Sequence, residues 1–280
     1  MILRAQKEKA LEFRNMHRSG DIFVLPNAWD VPSARIFEQA GFAAIGTTSA
    51  GIAISLGYPD GQKITRDEML HIVARIARSV SVPVTADIEA GYGDTTISIA
   101  DTARGVISAG GIGLNIEDST KGAEKRLYDI GPQPKKITVI RKVAELLDVP
   151  LVINARTDAL LVPKGDKTAR LKEAIARGNA YREAGADCVF PVGAIDAQTI
   201  SEIVRNVGCP VNILATNNVP PVTELKRLGV RRVSVGSGPA RATLGLVRRI
   251  ATELRESGTY ESLLNGAPTL AEANKLVTPN

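Results

Sequence analysis

A (β/α)8 barrel of the TIM type is the fold this sequence predicts, and three observations predict it. A short apolar run, a turn and an amphipathic stretch recur about eight times along the chain, the alternation that a strand–helix repeat requires. Acids, amides and one arginine collect where successive apolar runs end, the edge at which such barrels carry their chemistry. No Gly-rich dinucleotide fingerprint follows the first run, which counts against an open doubly wound sheet.

The chain opens with an amphipathic helix over residues 3–18, stopped at Gly20. Asp21-Ile-Phe-Val-Leu-Pro26 is the first strand, Asn27-Ala-Trp-Asp30 its loop, and Val31 to Ala40 its helix. Phe42 to Gly46 is the second strand. Thr47-Thr-Ser-Ala-Gly51 then begins a long loop, and Thr65-Arg-Asp-Glu68 has the capping-box pattern that starts a helix reaching about Ser79. The third strand lies in Val82-Pro-Val-Thr-Ala-Asp-Ile-Glu-Ala-Gly-Tyr-Gly-Asp94, with a helix from Thr95 to Ala109 stopped by Gly110-Gly111. Ile112 to Asp118 is the fourth strand, followed by an irregular basic segment to Pro134 and a helix to Leu147. Pro150 to Asp158 is the fifth, with a helix from about Thr168 to Ala184. Cys188–Val192, Val211–Ala215 and Arg232–Gly236 complete the series, each before a helical pattern. The chain is thus expected to be one barrel domain over 1–280 with a helical extension from about residue 258. A helix over Leu270 to Leu276 is left over once the barrel is counted, which suggests packing on a neighbouring subunit and a homo-oligomer.

Composition narrows the function. The hydrophobic share is 44% and the charged share 23%, an ordinary globular balance, and no run of 18 apolar residues marks a membrane span. The N-terminus mixes both charge signs without an apolar signal core, so a cytoplasmic protein is expected. A net charge of +5 invites a nucleic-acid reading, but the basic residues are spread along helices and only 4% of residues are aromatic, so no stacking platform stands out. Two histidines, His17 and His71, are too few for a multi-histidine metal site. Cys188 and Cys209 sit in apolar strand-like contexts and read as buried free thiols.

The strand ends carry Asn27 and Asp30, then Thr48 and Ser49, then Asp87 and Glu89, then Glu117, then Asn154, Arg156 and Asp158. A period of two places Thr85, Asp87 and Glu89 on one face, Asn115 with Glu117, and Asn154 with Arg156 and Asp158. Asp-x-Glu at a strand end can also be a solvated rim or a capping turn. Crowded acids repel unless a cation lies among them, and a hard ion such as Mg²⁺ suits oxygen ligands. Such a site suits stabilisation of an enolate of a small α-keto acid, with Arg156 clamping a carboxylate in bidentate fashion. Hydroxyl and amide groups around Thr48, Ser49 and Ala50 can donate to a developing oxyanion. A Schiff-base aldolase needs a lysine at a strand end, and none of these ends has one.

Five segments together resemble the isocitrate lyase and phosphoenolpyruvate mutase superfamily: Pro26 to Arg35, Thr47 to Asp60, Ala86 to Gly93, Asn115 to Asp118 and Asn154 to Asp158. The resemblance spans roughly residues 20–250. It implies a barrel with a swapped terminal helix, homodimers or homotetramers, and Mg²⁺ acting on small keto or hydroxy acids. By matching segment, Asp87 resembles the acid that touches the metal, and Glu89, Glu117 and Asp60 those that hold it largely through water. Asp60 and Arg156 are the catalytic candidates, and Trp29, Thr48, Ser49, Ala50, Asn154 and Arg156 the substrate-binding ones. One segment departs: lyases of this family carry Lys-Lys/Arg-Cys-Gly-His after the fourth strand and the phosphonomutases Pro-Lys-x-Asn-Ser, whereas this chain has Asp118-Ser-Thr-Lys-Gly-Ala-Glu-Lys-Arg-Leu-Tyr-Asp129. Lys121, Lys125 and Arg126 there are candidates to close over an anion or to form a solvated basic loop, and Gly236 to Arg241 for a phosphate site or a helix-opening turn. The function expected is a Mg²⁺-dependent enzyme making or breaking a C–C bond beside an α-keto acid. A phosphonomutase or P–C hydrolase, or a barrel that only binds a keto acid, are the alternatives.

Overall fold

The computed structural model describes residues 2–119, 126–162 and 165–278. Among these the apolar runs form parallel strands, each followed by helix. Pro26 splits the first strand, because it has no N–H to give to a ladder. The part before it, β1 (Phe23–Leu25), pairs with the last strand, and the part after it, β2 (Asn27–Ala28), pairs with β3 (Ile45–Thr47). The order continues through β4 (Val84–Asp87), β5 (Gly113–Glu117), β6 (Val152–Thr157) and β7 (Cys188–Pro191). The remaining strands, β8 (Asn212–Leu214) after helix α8 (Ala197–Asn206) and β9 (Arg232–Ser234) after helix α9 (Val222–Arg227), pair with each other, and β9 pairs with β1. Between β7 and β8 the pairing thins to one bridge, Val189 to Val211. The barrel class expected from the repeats is the one observed.

Strand alternation decides what faces inward. Leu114 and Ile116 pack in one cluster with Ile99, Val106 and Ile140 of the flanking helices α5 (Thr96–Ser108) and α6 (Pro132–Leu146). The odd-numbered Asn115 and Glu117 are therefore turned to the barrel interior. The helices start where short polar side chains occupy their first amides. Asp30 with Ser33 opens α2 (Val31–Gln39), and Thr65 with Glu68 opens α4 (Arg66–Ser79), both as reciprocal capping boxes.

The N-terminal helix α1 (Ile2–Arg18) closes the barrel floor. Its Gln6 donates to the carbonyls of Ile107 and Gly111, its Arg14 to that of Leu151, and its Lys7 pairs with Asp148. Leu151 and Gly111 lie just before strands, so α1 lies across the strand starts. Phe13 is fully buried there, in edge contact with His17 and Phe23.

Three expectations change. The segment after Thr47 is not a long loop: Ser49 to Ser55 form a helix, α3, capped by the Thr48 hydroxyl. The common face of Thr85, Asp87 and Glu89 ends with β4, because Glu89 has φ of +51° and leaves the strand alternation. The tail helix α12 (Leu270–Val277) packs on α2 of its own chain, so it is not the leftover element. That role falls to α10 (Gly238–Glu256), which buries only Ala240 and exposes Leu244, Leu246, Val247 and Leu254. A four-residue helix, α11 (Glu261–Leu264), precedes α12 and had no sequence signal.

Candidate active site

The strand ends of β3 to β6 bring the polar residues to one mouth. Glu117 of β5 stands opposite Arg156 of β6 in register, and two residues earlier Asn115 stands opposite Asn154. Both pairs meet: Arg156 Nη1 lies 2.9 Å from Glu117 Oε2, and Asn154 Nδ2 donates to Asn115 Oδ1 at 2.8 Å. Asp87 of β4 is opposite Asn115. Its backbone N–H donates to the Thr47 hydroxyl, and its Oδ2 accepts both the amide and the hydroxyl of Ser49 at 3.1 and 2.7 Å. The helix that replaced the expected loop therefore sets the direction of the Asp87 carboxylate.

Asp158, just past β6, grips the guanidinium through Arg156 Nε (2.7 Å) and Nη2 (3.1 Å). Asp158 is itself held by the Ser119 hydroxyl at 2.6 Å, and its amide donates to Asp118 Oδ1. Asp118, fully buried, accepts from Tyr181 and Arg177 of α7 (Lys167–Glu183) at 2.6 and 3.1 Å. Arg177 also donates to the carbonyl of Tyr128, and the amide of Tyr128 donates to the carbonyl of Asp118. The described residues on either side of positions 120–125 are thereby tied together at Asp118, and Ser119 among them bonds the Asp158 carboxylate that orients Arg156. Burial alone pulls the Arg156 guanidinium toward neutrality, but Glu117 and Asp158, with Asp87 adding to them, outweigh it and hold the cation firmly charged.

Glu89 is buried, and its carboxylate turns to the backbone amide of Gln62 at 2.9 and 3.1 Å and to the Tyr92 hydroxyl at 3.3 Å. Burial, then Glu89, Asp87 and Asp60, push the Tyr92 phenol far up, so it stays protonated and feels all three acids. The turn that allows this depends on Gly91 (φ +104°), where a Cβ would stand 2.3 Å from Ile99 Cδ1. Asp60 is exposed on the approach to this turn, Trp29 is partly buried beside α3, and Ala50 is partly buried within it.

Sequence-predicted site residues divide accordingly. Asp87, Glu117, Arg156, Ser49 and Glu89 come together. Asn154 is completely buried below them and positions Asn115 rather than facing the mouth. Thr48 is buried and caps α3 through its hydroxyl, which accepts the Gly51 amide. Asn27 binds the Thr47 carbonyl and accepts the amides of Val235 and Gly236, so the turn considered for phosphate already has those donors occupied. Lys121 and Lys125 lie outside the described residues, and Arg126 is exposed beside α7. Sequence reasoning missed Asp118, Ser119, Arg177 and Tyr181. The i, i+4 spacing of Arg177 and Tyr181 on a helix was the available signal, and nothing local tied it to Asp118.

The acids do not form a direct chelate. Among the described residues no group of three or more His, Cys, Asp or Glu side chains converges to hold an ion, because Glu89 is spent on Gln62 and Glu117 on Arg156. Asp87 Oδ1 has only a long contact with the Glu89 amide, at 3.5 Å. One available carboxylate with anionic neighbours fits Mg²⁺, which keeps several waters and uses one or two protein carboxylates. It does not fit zinc. A cavity of about 700 Å³ lined by Asp30, Arg35 and Arg75 lies between α2 and α4, away from this mouth. Among the described residues no helix is long and apolar enough to cross a membrane.

The chain is similar to known proteins over most of its length. Residues 13–255 match the family described as phosphoenolpyruvate phosphomutase. An uncharacterized protein of Mycobacterium tuberculosis is 40% identical over 84% of this chain and 85% of its own. An oxaloacetate decarboxylase of Pseudomonas putida is 32% identical over 80% of this chain and 77% of its own. The crystal structure of a phosphonopyruvate hydrolase with oxalate and Mg²⁺ superposes with a TM-score of 0.83 at 27% identity, covering 96% of this chain and 94% of that one.

Proposed function

The chain belongs to the phosphoenolpyruvate mutase family, within the isocitrate lyase and phosphoenolpyruvate mutase superfamily, and on that premise we propose that it is a Mg²⁺-dependent lyase that breaks or makes a C–C bond beside a small α-keto acid. The single observation that carries this reading is the charge clamp of Glu117, Arg156 and Asp158 next to Asp87 at one barrel mouth. Mg²⁺, when bound at Asp87, supplies Lewis-acid charge to the keto-acid oxygens.

The protein's own groups do the rest. Arg156, with its edge fixed by two carboxylates, presents its remaining N–H groups to the substrate carboxylate. Ser49 holds Asp87 in place with two hydrogen bonds. The amide of Ala50, in the first turn of α3 where helix amides lack intrahelical partners, is a donor available to a developing oxyanion. As the bond to the neighbouring carbon breaks, its electron pair moves into the keto-acid carbonyl oxygen. Asp60, in the same loop as the Glu89 contact, and Trp29 beside α3 line the approach.

Oxaloacetate is the first substrate to test. The absence of the lyase Cys-Gly-His segment argues against tricarboxylic substrates that need its cysteine, and an oxaloacetate decarboxylase is among the relatives. The expected result is Mg²⁺-dependent release of pyruvate from oxaloacetate or a near analogue, abolished by EDTA and restored by Mg²⁺. No turnover across a panel of keto and hydroxy acids, with tight binding retained, would replace the enzyme with a keto-acid-binding barrel. The phosphonopyruvate hydrolase likeness favours P–C cleavage as the second reading, and phosphorus NMR of phosphonopyruvate mixtures separates the two. The exposed apolar face of α10 supports a homodimer or homotetramer. Light scattering is expected to show an oligomer that Leu246→Glu with Val247→Glu reduces in mass, and an unaltered mass would reject α10 as the contact.

A further inference from the structure

Arg232 opens β9 at the barrel floor and is completely buried. Its Nη2 donates to Asn115 Oδ1 at 3.2 Å, the same oxygen that accepts Asn154 Nδ2. Its Nε and Nη1 have no hydrogen-bond partner, and its guanidinium carbon sits 5.8 Å from the centroid of the Phe13 ring. No ion pair with Arg232 occurs among the described residues. An enclosed cation without a paired carboxylate is costly unless a field compensates it.

The groups around it do not compensate. Burial pushes the Cys188 thiol up and the His17 imidazole down to about 4, so both are neutral at pH 7. Burial also pulls Arg232 down, to about 10, which leaves it charged. The opposing charge lies above it: Asn115, its hydrogen-bond partner, stands in register with Asp87. Four acids surround the mouth, Asp87, Glu89, Glu117 and Asp158, and Arg156 with Arg232 leaves an excess of two negative charges. One divalent cation cancels that excess. Without Arg232 the excess would be three.

We propose that Arg232 is a positioning residue whose fixed charge beneath the mouth limits the grip on the divalent cation and strengthens the grip on an anionic ligand. The assignment rests on the Mg²⁺ and keto-acid reading above. It separates from a packing role by sign, since loss of packing weakens both ligands whereas loss of a cation strengthens one and weakens the other.

The test is calorimetric titration of Mg²⁺ alone, and of oxalate at saturating Mg²⁺, into wild type, Arg232→Met and Arg232→Lys, with folding checked by circular dichroism. By Coulomb's law across a partly buried site, Arg232→Met is expected to bind Mg²⁺ about tenfold tighter and oxalate about tenfold weaker. Arg232→Lys keeps the charge and is expected to stay within about threefold of wild type in both. If Arg232→Met does not fold, Arg232→Gln carries the same expectation. Parallel weakening of both ligands, unchanged affinities, or a lysine variant that behaves like methionine would overturn the assignment while leaving the site reading intact. A wild type that binds neither ligand overturns the site reading and this assignment with it.

Discussion

Acid should loosen the barrel floor through one side chain, His17. Its ring is almost fully enclosed, makes edge contacts with Phe13 and Phe23, and has one nitrogen on the Phe13 carbonyl at 2.8 Å while Nε2 has no partner. Burial chiefly, with Arg232 adding, lowers its pKa from 6.5 to about 4. The folded value lies below the unfolded one, so the unfolded chain takes up the proton first. The stabilisation is complete above about 6.5 and is lost as pH falls toward about 4. With one pKa unit worth about 1.4 kcal/mol, the loss is about 1 kcal/mol at pH 5.5, about 2 at pH 5 and about 3 by pH 4. The assay is urea unfolding of wild type and His17→Phe between pH 7 and pH 5. Phenylalanine keeps the ring without the titration, and carboxylate contributions common to both proteins cancel in the difference. Wild type is expected to lose about 2 kcal/mol more than the variant over that range. Equal pH slopes would refute the claim that a neutral imidazole is enforced in the floor.

Arg156→Lys keeps the charge but loses the fork held by Asp158 and Glu117. Oxalate affinity at saturating Mg²⁺ is expected to fall by roughly tenfold to a hundredfold in calorimetry, and an unchanged affinity would remove Arg156 from the carboxylate site. At Gly51 an added Cβ would stand 2.6 Å from Thr48 Cγ2 and 3.1 Å from Trp29 Cβ. Gly51→Ala is therefore expected to cost about 1–3 kcal/mol in urea unfolding and to weaken oxalate binding. At Gly131 nothing lies within 4 Å of a new Cβ, so Gly131→Ala is the matched control. Equal effects from the two would show that α3 does not shape the mouth.

What could be read from residues alone followed the range of each interaction. Alternation within a strand placed Asn115 and Glu117 on one face and Asn154 and Arg156 on one face, and these residues meet across the strands as Asn115 with Asn154 and Glu117 with Arg156. Hydrophobic period and caps located α2, α4, α5 and α7 to within a residue or two. Alternation misled at Glu89, because it assumes the strand continues, and the positive φ two residues past Asp87 ended it. Short α3 escaped because Ser-Ala-Gly-Ile-Ala-Ile-Ser carries little helical amphipathicity, and its hold on Asp87 is tertiary. Asp118 and Arg177 are 59 positions apart, and Asn115 and Arg232 are 117 apart. Such contacts have no local signature: a buried arginine on a strand reads in sequence like any edge residue.

The central claim is that Asp87 anchors a magnesium ion on which the keto-acid pocket depends. Calorimetric titration of oxalate into wild type and Asp87→Ala, each with Mg²⁺ and with EDTA, tests it most directly. Binding that appears only with Mg²⁺ and only in wild type is the result expected here. Oxalate heat that persists in EDTA, or that Asp87→Ala leaves unchanged, would contradict it.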